Sequence, residues 1–231
     1  MPSYDYIKRN YEELSSEIEM LSAKAGNKVK LVAVTKSGSD EELVSLVSFG
    51  AGDIGENRPG ELKRRGELLL ERGFTTCLHE IGNLQRNKVK YIIDKVSLIH
   101  SVDSAELAKE IDKRAAAIGR RVPVLLEINS AKEEAKGGVM PSQALRLTEE
   151  IMGMPSLAFS GIMTMGPVCH NPEDIRPYFR LARKLFDEIG EKYGYEGEGI
   201  LSMGMSDSYR VAIEEGSTLV RVGRRLFVKN Q

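Results

Sequence analysis

The sequence contains no tryptophan, only two cysteines and no long apolar run among its 231 residues. Cys77 and Cys169 lack the spacing of metal ligands, which favours reduced thiols over a disulfide framework. No stretch approaches the roughly 18 apolar residues of a membrane-spanning helix, and the first residues lack the apolar core of a signal peptide. We therefore expect a cytoplasmic protein.

Charge of one sign is also scarce. The 33 Lys and Arg residues nearly balance the 34 Asp and Glu residues, which leaves a net charge of -1. A nearly neutral chain gives no indication of binding to nucleic acid or to a membrane. Hydrophobic residues make up 41% of the chain, which is sufficient for a sizeable core. This ordinary composition is compatible with a monomer, the oligomeric state that we expect.

Short apolar segments alternate with amphipathic segments from one end of the chain to the other, and no Pro/Ser-rich linker interrupts them. Parallel strands need long crossovers that are usually helical, so the pattern predicts an α/β fold. We expect a single (β/α)8 TIM barrel with an extra N-terminal helix, filling residues 1–231 as one domain. The predicted strands are 31–36, 53–56, 76–81, 98–102, 122–128, 158–163, 200–203 and 218–222. The predicted helices are 3–25 (with Ser3 as N-cap), 40–49, 59–71, 84–93, 104–117, 141–153, 175–193 and 208–215.

The strand predicted over 31–36 ends in a lysine. Alternation places Val32, Val34 and Lys36 on one face of the strand. An amine beside two apolar side chains loses hydration, which favours the neutral form, a nucleophile toward carbonyl groups. The alternative, common for lysine, is a strand-end side chain that extends into water.

Two later strand ends have the composition of an anion site. Gly-Met-Ser-Asp at 204–207 precedes a predicted helix, so Ser206 and the first amides of that helix can hold a phosphate. Gly223 follows the last strand and permits close backbone approach, and the loops after strands seven and eight of a barrel recurrently bind phosphate. The alternative is that the Ser-Asp pair only caps the helix.

Arg221 alternates with Leu219 and Gly223 and is therefore predicted to point into the barrel. A buried arginine needs a hydrogen-bond acceptor, and two alternatives remain open: an ion pair with Glu56 or Asp207, or a bond to a ring nitrogen of a ligand. A reactive lysine, a phosphate cradle and such an arginine together suggest a pyridoxal 5′-phosphate (PLP) site.

The three histidines, His79, His100 and His170, do not have the sequence spacing of metal ligands. We interpret them as polar residues at the barrel mouth that have hydrogen-bond partners.

With these residues in place, the sequence resembles the pyridoxal phosphate homeostasis protein family, which is similar to the N-terminal barrel domain of alanine racemase. The matching stretches follow one another through nearly the whole chain: Leu-Val-Ala-Val-Thr-Lys (31–36), Gly-Glu-Asn (55–57), His-Glu-Ile-Gly-Asn-Leu-Gln-Arg-Asn-Lys (79–88), His-Ser-Val-Asp (100–103), Gly-Ile-Met-Thr-Met (161–165), Leu-Ser-Met-Gly-Met-Ser-Asp (201–207) and Gly-Ser-Thr-Leu-Val-Arg-Val-Gly (216–223).

The resemblance implies PLP as cofactor and assigns the site residues. Lys36 would be the Schiff-base lysine, Ser206 and the Gly223 region would bind phosphate, Arg221 would face the pyridine nitrogen, and Asn57 would lie beside the cofactor.

The chain departs from the family pattern at four places. Arg224 replaces a small hydroxyl residue, so only its backbone amide carries over, although its side chain is long enough to reach the phosphate. Glu80 replaces an aromatic residue, Asn83 replaces a proline, and the loop 135–138 reads Ala-Lys-Gly-Gly.

The function we expect is to hold PLP on Lys36 and support intracellular PLP balance, with little or no catalysis and with PLP-requiring apoenzymes as possible recipients. Racemases of the resembling class take a second acid/base group from a β-rich domain, and only a short tail that ends in 227–231 follows the last predicted strand, so we expect no second domain. The alternative is a one-domain PLP-dependent amino-acid racemase, with His79 or Tyr209 as the acid. A plain phosphate-binding barrel is a third alternative, which does not call for Lys36.

Overall fold

Eight short parallel strands close into a ring in chain order in the computed structural model, which describes residues 4–133 and 137–229. This confirms the predicted barrel. The strands are β1 (Lys30–Val34), β2 (Asp53–Glu56), β3 (Cys77–Glu80), β4 (Leu98–Val102), β5 (Val122–Ile128), β6 (Leu157–Thr164), β7 (Ile200–Ser202) and β8 (Leu219–Val222).

Helices cover the outside of the ring. They are α1 (Asp5–Ala25), α2 (Asp40–Ser48), α3 (Pro59–Glu71), α4 (Ala105–Ala117), α5 (Ala144–Met152), α6 (Arg176–Tyr193) and α7 (Tyr209–Glu214). Short 3₁₀ segments lie at Arg86–Tyr91, Pro141–Gln143, Pro172–Ile175 and Arg224–Leu226.

Two sequence predictions about local structure need correction. The segment 84–93 is not an α-helix but contains the 3₁₀ turn Arg86–Tyr91, in which Val89 is the one buried residue. The first strand ends at Val34 rather than at Lys36, because a turn begins there. The N-cap predicted at Ser3 lies outside the described residues.

The strands divide the core into two clusters. A small cluster fills the barrel interior, and a larger one lies between the strands and the helices. Val32 belongs to the first and Ala33 to the second, as the predicted alternation of β1 requires. The interior cluster consists of Val32, Leu98, Leu125, Met163 and Leu219.

The N-terminal helix completes the helical layer. The last strand is followed by a 3₁₀ turn instead of a helix, and α1 packs there, between α7 and α2. Asn10 of α1 donates hydrogen bonds to the carbonyls of Leu226 (3.2 Å) and Val228 (2.9 Å). Glu17 pairs with Arg225 at 2.9 Å. The extra helix therefore covers the seam at which the barrel closes.

Gly161 permits the close approach of β6 and β7. Its φ of +146° is unfavourable for other residues, and an added Cβ would lie 2.0 Å from the carbonyl oxygen of Ile200. The register between β5 and β6 shifts at the same level, as at a β-bulge. The loops that follow these two strands both line the pocket described below.

Replacing Gly161 with alanine should lower the free energy of unfolding by about 3 kcal/mol or more, because both the backbone conformation and the contact with Ile200 become unfavourable. Denaturant unfolding measures this change. Gly60→Ala is the control, since an added Cβ there meets no atom within 4 Å. Equal stability of the two variants would contradict the assignment.

Candidate functional site

The carboxyl ends of the strands surround a pocket of about 800 Å³, at the end of the barrel where active sites of this fold lie. Its walls come from the loops after β1, β2, β3, β5, β6, β7 and β8. All six residues that the sequence nominated as cofactor contacts line this one pocket: Lys36, Asn57, Ser206, Arg221, Gly223 and Arg224.

Lys36 lies in a tight turn rather than in the strand. The Gly38 amide donates to the Thr35 carbonyl at 2.9 Å, which closes the turn around Lys36 and Ser37. Lys36 keeps the predicted direction, since it lines the pocket together with Val34. The expectation of a dry setting is wrong, because Lys36 is exposed. The turn lifts the side chain beyond the apolar interior of the barrel.

Asn57 is held by the loop that follows β3. A Cβ at Gly82 would lie 2.3 Å from the Asn57 carbonyl oxygen, so the two backbones touch and only glycine fits. The Gly82 amide donates to Oε1 of Glu80 at 3.1 Å, which fixes this loop from below. Residues 79–83 therefore position one wall of the pocket.

The loop after β7 leaves Ser206 free to face the pocket. The Met205 amide donates a hydrogen bond to the Ser208 hydroxyl at 3.1 Å, so Ser208 rather than Ser206 bonds the loop backbone. Within the described residues Ser206 makes no side-chain hydrogen bond, so the alternative of a simple helix cap is not supported. Gly204, at φ +95°, packs directly on Tyr209 of α7 and sets the course of the loop.

The loop after β8 lies against β1. A Cβ at Gly223 would lie 2.7 Å from the Val34 carbonyl oxygen, so this position accepts only glycine. The Arg224 side chain pairs with Asp207 and thereby links the loops that follow β7 and β8. Both members of this pair are largely exposed. The two predicted phosphate loops and Lys36 thus share one side of the pocket.

Arg221 is buried and points into the barrel, as predicted. Its guanidinium donates to the Ser202 hydroxyl at 2.5 Å and to the Thr164 carbonyl at 3.1 Å. Burial lowers the pKa of Arg221 to about 10, and the charge of Glu127 acts against that shift. Arg221 therefore remains a cation at neutral pH.

Neither ion pair considered for Arg221 forms. Glu56 instead pairs with Arg65 at 2.7 Å, on the helical side of the sheet. Asp207 is engaged by Arg224. The acceptors that hold Arg221 are neutral oxygens, which sequence alternation alone does not reveal.

Glu127 is a pocket residue that the sequence analysis did not single out. It lies on β5, the strand opposite β1 in the eight-strand ring, and lines the pocket. Burial raises the pKa of the Glu127 carboxyl to about 7, and the charge of Asp103 adds to the rise while that of Arg221 opposes it. The sequence could have indicated this position, because Glu127 lies two residues after Leu125 in β5 and alternation places both side chains on the interior face of the strand.

Two of the three histidines lie away from the barrel mouth at which they were predicted, and Tyr209 lies outside the pocket. His79 and His100 lie inside the barrel, bonded to each other at 3.0 Å, and not at the mouth. His170 alone of the three lines the pocket. Tyr209 is buried against Arg225, away from the pocket. The two side chains proposed as the acid of a racemase are therefore both outside the pocket.

No group of three or more His, Cys, Asp or Glu side chains within 4–133 and 137–229 is arranged to hold a metal ion. In the same residues no helix is long and apolar enough to cross a membrane. The loop 135–138 begins outside the described residues, and from it Gly137 lines the pocket.

Comparison with known proteins defines the class to which this barrel and pocket belong. A family model described as the alanine racemase N-terminal domain matches residues 9–231. The pyridoxal phosphate homeostasis protein of Aquifex aeolicus (strain VF5) is 40% identical over 227 residues, which cover 98% of each chain. The chain therefore belongs to the pyridoxal phosphate homeostasis protein family, within the class that shares the alanine racemase N-terminal domain.

Solved structures agree with this assignment. The crystal structure of an unknown protein from Bifidobacterium adolescentis has a TM-score of 0.89 at 35% identity, covering 97% of this chain and 95% of its own. PipY of Synechococcus elongatus PCC7942, solved with PLP bound, has a TM-score of 0.84 at 26% identity, covering 96% of this chain and 100% of its own.

The buried carboxyl of Glu80 should make stability depend on pH. Burial raises its pKa to about 8, and its Oε2 has no hydrogen-bond partner in the described part of the chain. The unfolded chain loses this proton near pH 4.5 and the folded chain near pH 8, so stability is full below pH 4.5 and falls as the pH rises toward 8.

Glu80→Gln should remove most of this pH dependence, raising the free energy of unfolding at pH 8 by about 4 kcal/mol and changing it little at pH 4.5. Urea unfolding at the two pH values measures the effect. Glu71→Gln, at an exposed carboxyl of α3, is the control. A Glu80→Gln variant with the pH dependence of the parent would show that this carboxyl is ionised in the folded protein.

Proposed function

We propose that this protein binds PLP covalently through Lys36 and supports intracellular PLP homeostasis with little or no catalysis. The observation that carries the proposal is that one pocket brings together an accessible amine, two phosphate-type loops and a buried guanidinium. The family of the chain and the PLP found in PipY support the choice of ligand. We extend the proposal to a monomeric, cytoplasmic, single-domain protein.

The donor set fits PLP group by group. The cofactor has an aldehyde, a phosphate and a pyridine nitrogen, which require an amine, hydrogen-bond donors for an anion, and a partner for the ring. Lys36 offers the amine, and the Ser206 hydroxyl and the loop backbone beside Gly223 offer donors. Arg221 offers N–H groups beyond those bound to Ser202 and Thr164. A pocket of about 800 Å³ has room for a ligand of this size.

Arg221 would weaken carbanion chemistry on the cofactor without forbidding it. When bound, PLP supplies an aldehyde that condenses with amines and a ring that withdraws electrons. A guanidinium can only donate hydrogen bonds, so it approaches a ring nitrogen without transferring a proton. An unprotonated ring withdraws electrons less strongly, which is consistent with a protein that carries the cofactor rather than one that uses it.

The Arg224–Asp207 ion pair provides a means of releasing bound PLP. It crosses the two loops that would hold the phosphate, and side-chain exposures of 70% and 73% leave it open to solvent and salt. Asp207 competes with an anion for the Arg224 guanidinium. We infer that this competition keeps the phosphate contact weak enough for release to PLP-requiring apoenzymes.

The protein incubated with PLP should show a visible absorption band, and Lys36→Ala should abolish it. Borohydride reduction followed by peptide mass mapping should then locate one phosphopyridoxyl group, on Lys36. Lys63→Ala, at a half-buried lysine of α3, is the control and should retain the band. Equal labelling of the parent and the Lys36→Ala variant would refute the proposal.

One observation favours a second candidate function, a PLP-dependent amino-acid racemase. Two-base racemisation needs acid/base groups on both faces of the substrate, and Glu127 lines the pocket on the strand opposite β1. With its pKa raised to about 7 by burial, Glu127 can donate or accept a proton near neutral pH. It is better placed for this role than His79 or Tyr209.

Exchange of the α-proton of amino acids for deuterium in the PLP-loaded protein separates the two functions. A racemase should show exchange well above that of free PLP, and Glu127→Gln should lower it about 100-fold. Glu71→Gln, at an exposed carboxyl of α3 outside the pocket, should leave exchange unchanged. Exchange no faster than with free PLP would eliminate the second candidate and leave the carrier function.

A further inference from the structure

A continuous series of hydrogen bonds crosses the barrel interior from one mouth to the other. At the amino end of the strands, Oδ1 of Asp53 lies 2.9 Å from Nε2 of His79. Nδ1 of His79 lies 3.0 Å from Nε2 of His100, and Nδ1 of His100 lies 3.0 Å from the Ser202 hydroxyl. Ser202 in turn accepts from Arg221 at 2.5 Å. We call these five residues the interior relay.

The chemistry at its two ends fixes the direction of the relay. Arg221 can only donate and an ionised Asp53 can only accept. The Ser202 hydroxyl accepts from Arg221 and so donates to Nδ1 of His100. Nε2–H of His100 then donates to Nδ1 of His79, and Nε2–H of His79 donates to Asp53. Every bond has one proton when both histidines are neutral Nε2–H tautomers.

The opposite arrangement leaves a buried proton unpaired. A protonated His79 would donate to Nε2 of His100, whose Nδ1–H would donate to Ser202. The Ser202 hydroxyl would then accept twice, from His100 and from Arg221, and its own proton would have no acceptor within the described residues. Burial lowers the pKa of His100 and the charge of Arg221 lowers it further, which also favours the neutral form.

The ends of the relay meet different surroundings. At the pocket end, Arg221 lines the proposed ligand site, and Thr164 accepts its second N–H. At the far end, Asp53 lies near the exposed Lys30, 3.3 Å away. His79 and His100 are buried between them, packed at 5.3 Å between ring centres. The only charged groups of the relay are therefore Arg221 and Asp53.

We propose that Asp53, His79, His100 and Ser202 are positioning residues that hold the Arg221 guanidinium in one orientation toward the ligand pocket. The relay fixes which N–H groups of Arg221 are engaged below and which remain free above. The position of the guanidinium thus depends on a carboxylate at the other mouth of the barrel. The inference rests on the proposed function only for the identity of the ligand, PLP.

The first test uses the protein without PLP. Long-range ¹H–¹⁵N NMR spectra at pH 7.5 distinguish histidine tautomers, and the three histidines of the chain can be assigned with single variants. His79 and His100 should both be neutral Nε2–H tautomers. An Nδ1–H tautomer or a doubly protonated ring at either residue would overturn the directed relay, whether or not the protein binds PLP.

The second test measures the orientation of Arg221 itself. A guanidinium held by the relay should show separate Nη signals because its rotation is slow. Asp53→Ala removes the final acceptor and should speed that rotation at least about fivefold, whereas Asp53→Asn keeps an acceptor oxygen and should restore the slow rate. Lys30→Ala, which removes only the exposed partner of Asp53, is the matched control.

Ser202→Ala breaks the relay next to Arg221. It keeps the test decisive if Asp53→Ala disturbs the fold. It should speed the rotation as well, and both variants should weaken PLP binding about threefold to tenfold, as for the loss of one hydrogen bond. Unchanged Arg221 rotation in these variants would overturn the positioning role. A parent protein that binds no PLP would refute the proposed function alone, because the rotation and tautomer results stand without it.

Discussion

The pocket depends on the closure of the sheet between β1 and β8. These strands pair in parallel, with Val32 opposite Arg221 and Ala33 opposite Val222, so their carboxyl ends lie side by side. Gly223 then contacts the backbone of Val34 directly, which a side chain would prevent. This contact brings the turn that carries Lys36 next to the loops after β7 and β8. An open sheet would place β1 and β8 at opposite edges and separate the amine from the anion loops.

Closure also creates an interior that must be filled. Five apolar side chains occupy part of it, and the remainder holds His79, His100, Ser202 and Arg221. Buried polar groups are stable only when each has a partner, and the relay meets that condition while ending at the pocket. The apolar part secures the barrel, and the polar part determines the position of the cation beneath the pocket.

Alternation and strand ends predicted much of this site, because a barrel converts positions along the chain into positions around a ring. Arg221, Ser206 and Gly223 were predicted on that basis, and the structure brings them together. The exposure of Lys36 could not be predicted, since the strand ends two residues early and a turn raises the lysine. The partners of Arg221 were also missed, because Ser202 and Thr164 lie on β7 and β6, and the sequence of one strand does not specify its register with the others.

The sequence by itself determined the fold class, the number and order of the strands, and the residues at their carboxyl ends, because these follow from local periodicity and from glycine positions. The tertiary structure alone decided which buried groups pair with which. Glu56 bonds Arg65 rather than Arg221, His79 bonds His100, and Glu127 faces the pocket from the strand opposite β1. The pairs His79–His100 and Ser202–Arg221 join residues about 20 positions apart in the chain, and only the register of the strands brings them within hydrogen-bonding distance.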